Sequence, residues 1–148
     1  MNQILQKARK YCSYQERSQQ EVRDKLYSYG LWKKDVENII AELITSGFLK
    51  EERFAIAFAG GKFRIKGWGR IKIKQALKVK SIPEKIINKA ISEIDNQDYV
   101  KSLKKIINKR SKEVKEKNLL KKNYKIAQYV ISRGYEPELV WSLLKTED

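Results

Sequence analysis

The feature that most constrains this fold is an internal repeat, because one pattern of apolar and small residues occurs three times. The first copy has apolar residues at Val22 and Leu26, a small residue at Gly30, and a second apolar series after it. The pattern returns 51 and 104 positions later, with Ser81 and Gly134 at the small position. Self-similarity at a fixed period of this size is typical of helical repeat proteins. The sequence therefore predicts three copies of one structural unit.

The spacing within each copy predicts helices. Val22 and Leu26 are four positions apart and lie on one helical face, and the small residue ends that helix. A second helix follows with apolar residues three and four apart, another amphipathic stretch precedes the pair, and no alternating strand pattern of useful length occurs. We therefore expect an all-α chain of three tandem three-helix repeats, residues 1–49, 50–96 and 97–148. Units of this size bury more surface by stacking, which favours an elongated, curved body.

The charge predicts a polyanionic partner. The chain has 33 Lys and Arg against 18 Asp and Glu, a net charge of +15. Residues 1–49 carry only +2, whereas residues 50–95 carry +7 and residues 96–148 carry +6. Such a charge repels itself and favours association with nucleic acid. The nearly balanced first third is the better candidate for protein contacts.

Residues 62–80, which we call the basic segment, carry the strongest functional signal. The segment has no acidic residue, and its basic members are Lys62, Arg64, Lys66, Arg70, Lys72, Lys74, Lys78 and Lys80. Arg70, Lys74 and Lys78 recur every four positions, so we predict one cationic stripe that contacts phosphates. Phe63 and Trp68 could stack on bases, although the flanking glycines favour packing for Trp68. The alternative is a solvated cationic surface.

A second basic run predicts an exposed face of the first helix in the third repeat. Its members are Lys101, Lys104, Lys105, Lys109, Arg110 and Lys112. We expect this face to add to the general positive field. The helix pairs also resemble half of a helix-turn-helix, but the basic residues lack Asn or Gln partners arranged for base edges. The pattern therefore favours binding of the DNA backbone over reading of sequence.

The residues argue against catalysis and bound metal. Histidine is absent and Cys12 is the single cysteine, which excludes His/Cys zinc sites and an imidazole base. Gly60 and Gly61 lack the spacing of a phosphate loop, and we interpret them as a kink or an end of their helix. The acidic pair Glu51 and Glu52 suits a helix start. A metal-dependent nuclease stays open as a remote alternative, and we expect no cofactor.

Several segments resemble RecX regulatory proteins. Residues 14–18, 21–26 and 47–55 resemble the first repeat of that family and the start of the second; Trp68, Gly69 and Arg70 are similar to its second repeat. Arg133, Gly134 and Tyr135 resemble its third repeat. The chain departs from many members at residues 50–52, where they have paired aspartates, and at Ser81, where they have glycine.

The resemblance implies a fold and a function. The fold is three tandem three-helix repeats. The function is binding of RecA filaments, along their helical groove, with inhibition of strand exchange, filament growth, ATP hydrolysis and co-protease activity. Members of the family also bind DNA. None of these activities requires catalysis by the chain itself.

These observations together give a set of expectations. We expect a cytoplasmic, monomeric regulator without a membrane span, and its partners are the RecA filament and single- and double-stranded DNA. The alternative is a general DNA-binding helical protein without a recombinase partner. The candidate nucleic-acid or filament contacts are Lys62, Arg64, Lys66, Trp68, Arg70, Lys72, Lys74 and Lys78. The candidate partner contacts are Arg17, Lys25, Arg53 and Arg133.

Overall fold

The computed structural model describes residues 2–146, and within that range the regular structure is nine α-helices without strands. The helices are α1 Asn2–Tyr14, α2 Gln19–Ser28, α3 Lys33–Thr45, α4 Glu51–Lys66, α5 Arg70–Val79, α6 Glu84–Ser92, α7 Asn96–Glu113, α8 Leu119–Ser132 and α9 Pro137–Thr146. The all-α class and the tandem order of three-helix groups are confirmed.

The small position of the repeat marks the end of the middle helix in each group. Gly30, Ser81 and Gly134 follow α2, α5 and α8 with φ angles of 83°, 64° and 102°. These angles lie in the left-handed region, where glycine is favoured and a serine side chain is strained. The repeat pattern therefore identified the helix ends correctly, including the copy in which serine replaces glycine.

A capping box fixes the start of α2. The buried Ser18 hydroxyl accepts a hydrogen bond from the Glu21 backbone N–H at 3.1 Å, and the Glu21 carboxylate accepts one from the Ser18 N–H at 3.3 Å. The two bonds satisfy backbone donors that a helix start leaves without intrahelical partners.

Of the two alternatives predicted at Gly60 and Gly61, an end of the helix was wrong, and a kink stays a prediction. Helix α4 continues through both glycines to Lys66. Two glycines weaken a helix by only about 2 kcal/mol in total relative to alanine, and Phe54, Ala55, Ala59 and Phe63 are all buried along its length. Burial of that face is sufficient to keep the helix continuous.

The described residues pack into two compact units. Unit 1 contains the residues up to Phe58 together with Leu77–Ala90, and unit 2 contains Ala59–Ala76 together with the residues from Ile91 onward. Helices α4, α5 and α6 therefore each contribute residues to both units. The division into repeats at residues 1–49, 50–96 and 97–148 stays a prediction about sequence units.

Each unit has its own core at the positions of the repeat pattern. In unit 1 the buried residues include Val22, Leu26, Val36, Ile39, Ile40, Leu43, Leu77, Ile82 and Ile87. In unit 2 they include Ile73, Leu103, Ile107, Ile126, Val130, Val140 and Leu144. Three aromatic rings add to the second core, because the Tyr99 ring centroid lies 5.8 Å from that of Phe63 and 5.1 Å from that of Tyr135. Across the part of the chain that the structure describes, no helix combines the length and apolar character of a membrane span.

Candidate nucleic-acid interface

The basic segment runs along the end of α4, the connection at residues 67–69, and α5. Its basic members from Lys62 to Lys74 belong to unit 2, and Lys78 and Lys80 belong to unit 1. Arg64, Lys66 and Lys78 are exposed, and the other candidates are partly exposed, namely Lys62, Trp68, Arg70, Lys72 and Lys74. Three of the eight candidates are thus exposed, and the other five are partly covered by the rest of the protein.

The Trp68 ring makes cation–π contacts with two of the lysines. The Lys62 ammonium lies 5.0 Å from the centroid of the indole ring, and the Lys72 ammonium lies 4.7 Å from it. The Trp68 backbone N–H donates to the Lys62 carbonyl at 3.1 Å. Cation–π contacts of this kind stabilise by about 0.5–1 kcal/mol each at exposed sites. The indole ring therefore restrains two cations next to the α4–α5 connection.

Phe63 is not available for base stacking. Its ring packs against Tyr99 and only 9% of the residue is exposed. The possibility that Phe63 stacks on bases is therefore excluded by its position in the core of unit 2.

Two motifs that resemble RecX proteins contact each other inside unit 2. The Gly69 N–H donates to the Arg133 carbonyl at 2.9 Å, and the Ile71 N–H donates to the Gly134 carbonyl at 2.9 Å. The Tyr135 hydroxyl donates to the Gly67 carbonyl at 3.1 Å. The α8–α9 connection thereby fixes the α4–α5 connection, which carries the middle of the basic segment.

This crossing requires glycine on both sides. A Cβ atom at Gly69 would lie 2.3 Å from the Gly134 carbonyl carbon and 2.4 Å from the Tyr135 nitrogen. A Cβ atom at Gly134 would lie 2.4 Å from the Lys72 Cβ. Distances this short are well inside van der Waals contact, so any side chain at either position would force the two connections apart.

The Arg70 side chain contacts other residues of unit 2. Its Nη1 atom pairs with Glu136 Oε2 at 2.8 Å, its Nη2 donates to Asn96 Oδ1 at 3.0 Å, and its guanidinium carbon lies 3.7 Å from the Tyr99 ring centroid. The Arg70 and Glu136 side chains are only 21% and 27% exposed. A neighbouring carboxylate thus already pairs with the first member of the predicted stripe, and contact of Arg70 with phosphate stays a prediction.

Glu136 also accepts a hydrogen bond from the Tyr99 hydroxyl. Burial raises the pKa of Tyr99 above its ordinary value, and the hydrogen bond to Glu136 raises it further. Burial is also the largest single influence on the pKa of Glu136 and raises it, but the hydrogen bonds from Tyr99 and Arg70 outweigh it. The pKa of Glu136 is therefore below its ordinary value, and the carboxylate stays charged at neutral pH.

The candidate partner contacts also have partners within their own units. Arg17 stacks 3.8 Å from the Tyr11 ring centroid and donates to the Tyr11 carbonyl at 3.0 Å. The ammonium of the exposed Lys25 lies 5.4 Å from the same ring. Arg53 pairs with Glu16 at 3.1 Å.

Arg133 donates to the Lys66 carbonyl. These contacts give all four candidates, Arg17, Lys25, Arg53 and Arg133, a structural role. Their contact with a partner protein stays a prediction.

The described residues contain no group of three or more Cys, Asp and Glu side chains placed to hold a metal ion. Cys12 is buried, and burial raises the pKa of its thiol. A raised pKa keeps the sulfur protonated and unreactive.

Comparison with protein families gives two matches. Residues 5–43 match the first three-helix domain of RecX, and residues 51–91 match the second three-helix domain of RecX. Together the two matches cover more than half of the chain.

Individual relatives give the same result. The chain is 32% identical over 131 residues to "Regulatory protein RecX" of Streptococcus uberis, covering 88% of this chain and 50% of the relative. It is 32% identical over 139 residues to the RecX protein of Clostridium tetani, covering 93% and 63%. The chain thus spans only part of the length of these relatives. The crystal structure of RecX from Lactobacillus salivarius superimposes with a TM-score of 0.89 at 22% identity, covering 98% of this chain and 94% of the other.

Proposed function

Since the chain belongs to the RecX family, we propose that it is a non-catalytic regulator that binds RecA recombinase–DNA filaments and inhibits their activities. The activities in question are strand exchange, ATP hydrolysis and co-protease function, so the protein modulates DNA repair and recombination. The proposal includes a cytoplasmic location, which suits a chain with a single, buried cysteine.

The observation that carries the proposal is the basic segment. It has no acidic residue in its 62–80 range, and Trp68 restrains Lys62 and Lys72 beside the fixed α4–α5 connection. Cations held in place lose less conformational entropy when they bind phosphate than cations on free side chains do. Contacts of this kind position a protein on DNA without reading its sequence.

Sequence-independent contact with DNA suits a filament regulator. A recombinase filament covers DNA of any sequence, so a protein that acts on it gains nothing from base-specific contacts. Lysines at the backbone give an affinity that falls with salt and applies equally at every position. The basic segment supplies the DNA contacts in this proposal, and contacts with the recombinase supply the specificity.

The alternative function is general DNA binding without a recombinase partner. The same charge of +15 supports it, because electrostatic attraction alone produces binding to any nucleic acid. Inhibition of a recombinase at concentrations that leave naked DNA unoccupied separates the two functions.

The test is a titration of the protein into RecA strand-exchange and ATPase assays. The variant Lys66→Glu with Lys78→Glu changes two exposed members of the basic segment. The control Lys33→Glu with Lys34→Glu makes the same change of charge on two exposed residues at the start of α3. We expect the wild type and the control to inhibit both activities, and the basic-segment variant to require at least tenfold more protein. Equal potency of the two variants would refute the role of the basic segment, and no inhibition by wild type would refute the regulation.

A further inference from the structure

Unit 2 has a second cationic surface, which joins the two basic runs of the sequence. A groove of about 330 Å³ lies between α4 and α7 and is lined by Phe63, Arg64, Asp98, Lys101, Ser102 and Lys105. Arg64 comes from the basic segment, and Lys101 and Lys105 come from the run about forty residues later. The three cations therefore meet at one groove although they are far apart in the chain.

The groove has the chemistry of an anion site. Three cationic side chains face one carboxylate, that of Asp98, so the lining has a positive balance. Ser102 adds a hydroxyl that lies 3.4 Å from the Tyr135 hydroxyl. Hydroxyl and ammonium groups are ordinary hydrogen-bond donors to phosphate oxygens.

Helix α7 continues this surface beyond the groove. Lys101 and Lys105 are four positions apart, and the exposed residues Lys109 and Lys112 follow on the same side of the helix. Each step of four residues advances about 6 Å along a helix. Like charges at this spacing repel one another, and a row of cations at steps of four, four and three residues is best matched by a polymer with a repeated negative charge.

We propose that this groove binds a phosphate of the DNA backbone, and that α7 extends the nucleic-acid contact of unit 2 beyond the basic segment. The inference rests on the DNA-binding part of the proposed function. A phosphodiester chain fits better than an acidic protein segment, because the row along α7 repeats regularly over three helical turns. Arg64, Lys101 and Lys105 hold the phosphate, and Asp98 weakens the site by repulsion.

The test measures the affinity for a short fluorescein-labelled oligothymidylate by fluorescence anisotropy at a series of salt concentrations, without recombinase. For single strands the slope of log affinity against log salt is about −0.7 for each phosphate contacted. We expect Lys101→Ala with Lys105→Ala to reduce the steepness of the slope by about 1.4. The control Lys33→Ala with Lys34→Ala removes the same charge from exposed positions of unit 1 and should leave the slope unchanged.

A second variant is expected to increase the affinity of the groove for DNA. Asp98→Asn removes the one carboxylate among the lining residues, and we expect it to raise the affinity for oligothymidylate about two- to threefold at low salt. Circular dichroism of this variant should match that of the wild type, because an unfolded polycation also binds oligothymidylate; tighter binding by the folded variant is the result expected of the groove.

A slope for the Lys101 and Lys105 variant equal to that of the control would overturn the inference. If that variant also loses binding to RecA filaments, the groove contacts an acidic protein surface instead of DNA. If the slopes follow the expectation while wild-type protein leaves strand exchange unaffected, the groove stands and the proposed regulation is refuted.

Discussion

Replacement of Gly69 by alanine tests the crossing of two connections that organises unit 2. The new Cβ would lie 2.3 Å from the Gly134 carbonyl carbon and 2.4 Å from the Gly134 oxygen. Carbon atoms in ordinary contact are about 3.5 Å or more apart, so the two connections would have to separate by roughly 1 Å. The obstacle is backbone, which cannot rotate aside as a flexible side chain can.

The cost follows from the bonds that the separation breaks. The Gly69 N–H to Arg133 carbonyl bond and the Ile71 N–H to Gly134 carbonyl bond are both 2.9 Å long. Each lost bond costs about 1 kcal/mol, and the crowding that remains costs about 1–3 kcal/mol. The lower unfolded-state entropy of alanine offsets roughly 0.4–1 kcal/mol. We expect Gly69→Ala to lower the free energy of unfolding by about 2–4 kcal/mol.

The assay is urea denaturation followed by circular dichroism at equilibrium. Gly61→Ala is the matched control, because Gly61 lies within α4 and a Cβ there would meet no atom within 4 Å. We expect that control to raise the free energy of unfolding by about 0.5–1 kcal/mol, the usual gain of alanine over glycine in a helix. If the two substitutions have equal effects, the close approach of Gly69 and Gly134 is not a feature of the protein in solution.

Three further predictions concern single side chains. Ser18→Ala removes the capping box of α2 and should lower the free energy of unfolding by about 1 kcal/mol in the same assay; no change would mean that α2 starts elsewhere. Leu77→Ala truncates a fully buried leucine and should lower the free energy of unfolding by about 2–5 kcal/mol. A decrease near zero would mean that Leu77 does not lie on the buried face of α5. The depressed pKa of Glu136 gives stability that is present above the ordinary glutamate pKa of about 4.3 and is lost as the pH falls through the lower folded value. Glu136→Gln should therefore be less stable at neutral pH and lose less stability below about pH 4.5; denaturation curves that shift equally with pH in both proteins would contradict this.

The helices could be predicted because their signals are local. A repeat of apolar residues at helical spacing determines which face is buried, and Val22, Leu26, Ile73, Leu77, Ile126 and Val130 are all buried. The small position of the repeat predicted the left-handed residue after the middle helix, even at Ser81. The predicted alternative of a helix end at Gly60 or Gly61 was wrong, since burial of the apolar face of α4 outweighs the weak helix propensity of glycine.

The interface could be predicted only in part. Spacing along α5 placed Arg70 in a stripe, but spacing carries no information about Glu136, which approaches it from 66 positions away. The contact between Gly69 and Gly134 could not be predicted for the same reason, because neither charge nor hydropathy indicates where two backbones approach each other. A glycine directly after Trp68 was the one available signal, and its reason became visible only in the fold.

The sequence also could not predict that Arg64, Lys101 and Lys105 line the same groove. The second basic run was interpreted as a source of general positive field, because nothing along the chain relates α7 to the end of α4. Aromatic support for Lys62 and Lys72 was missed for the same reason. Tertiary packing selects which cations of a basic chain share a surface.

The most direct test of the account compares affinity for a preformed RecA–DNA filament with affinity for the same DNA without recombinase, at one salt concentration. The proposed regulator binds the filament at least tenfold more tightly, and the preference survives as salt weakens binding to naked DNA. Equal affinities with equal salt slopes would contradict the account and leave a general DNA-binding protein.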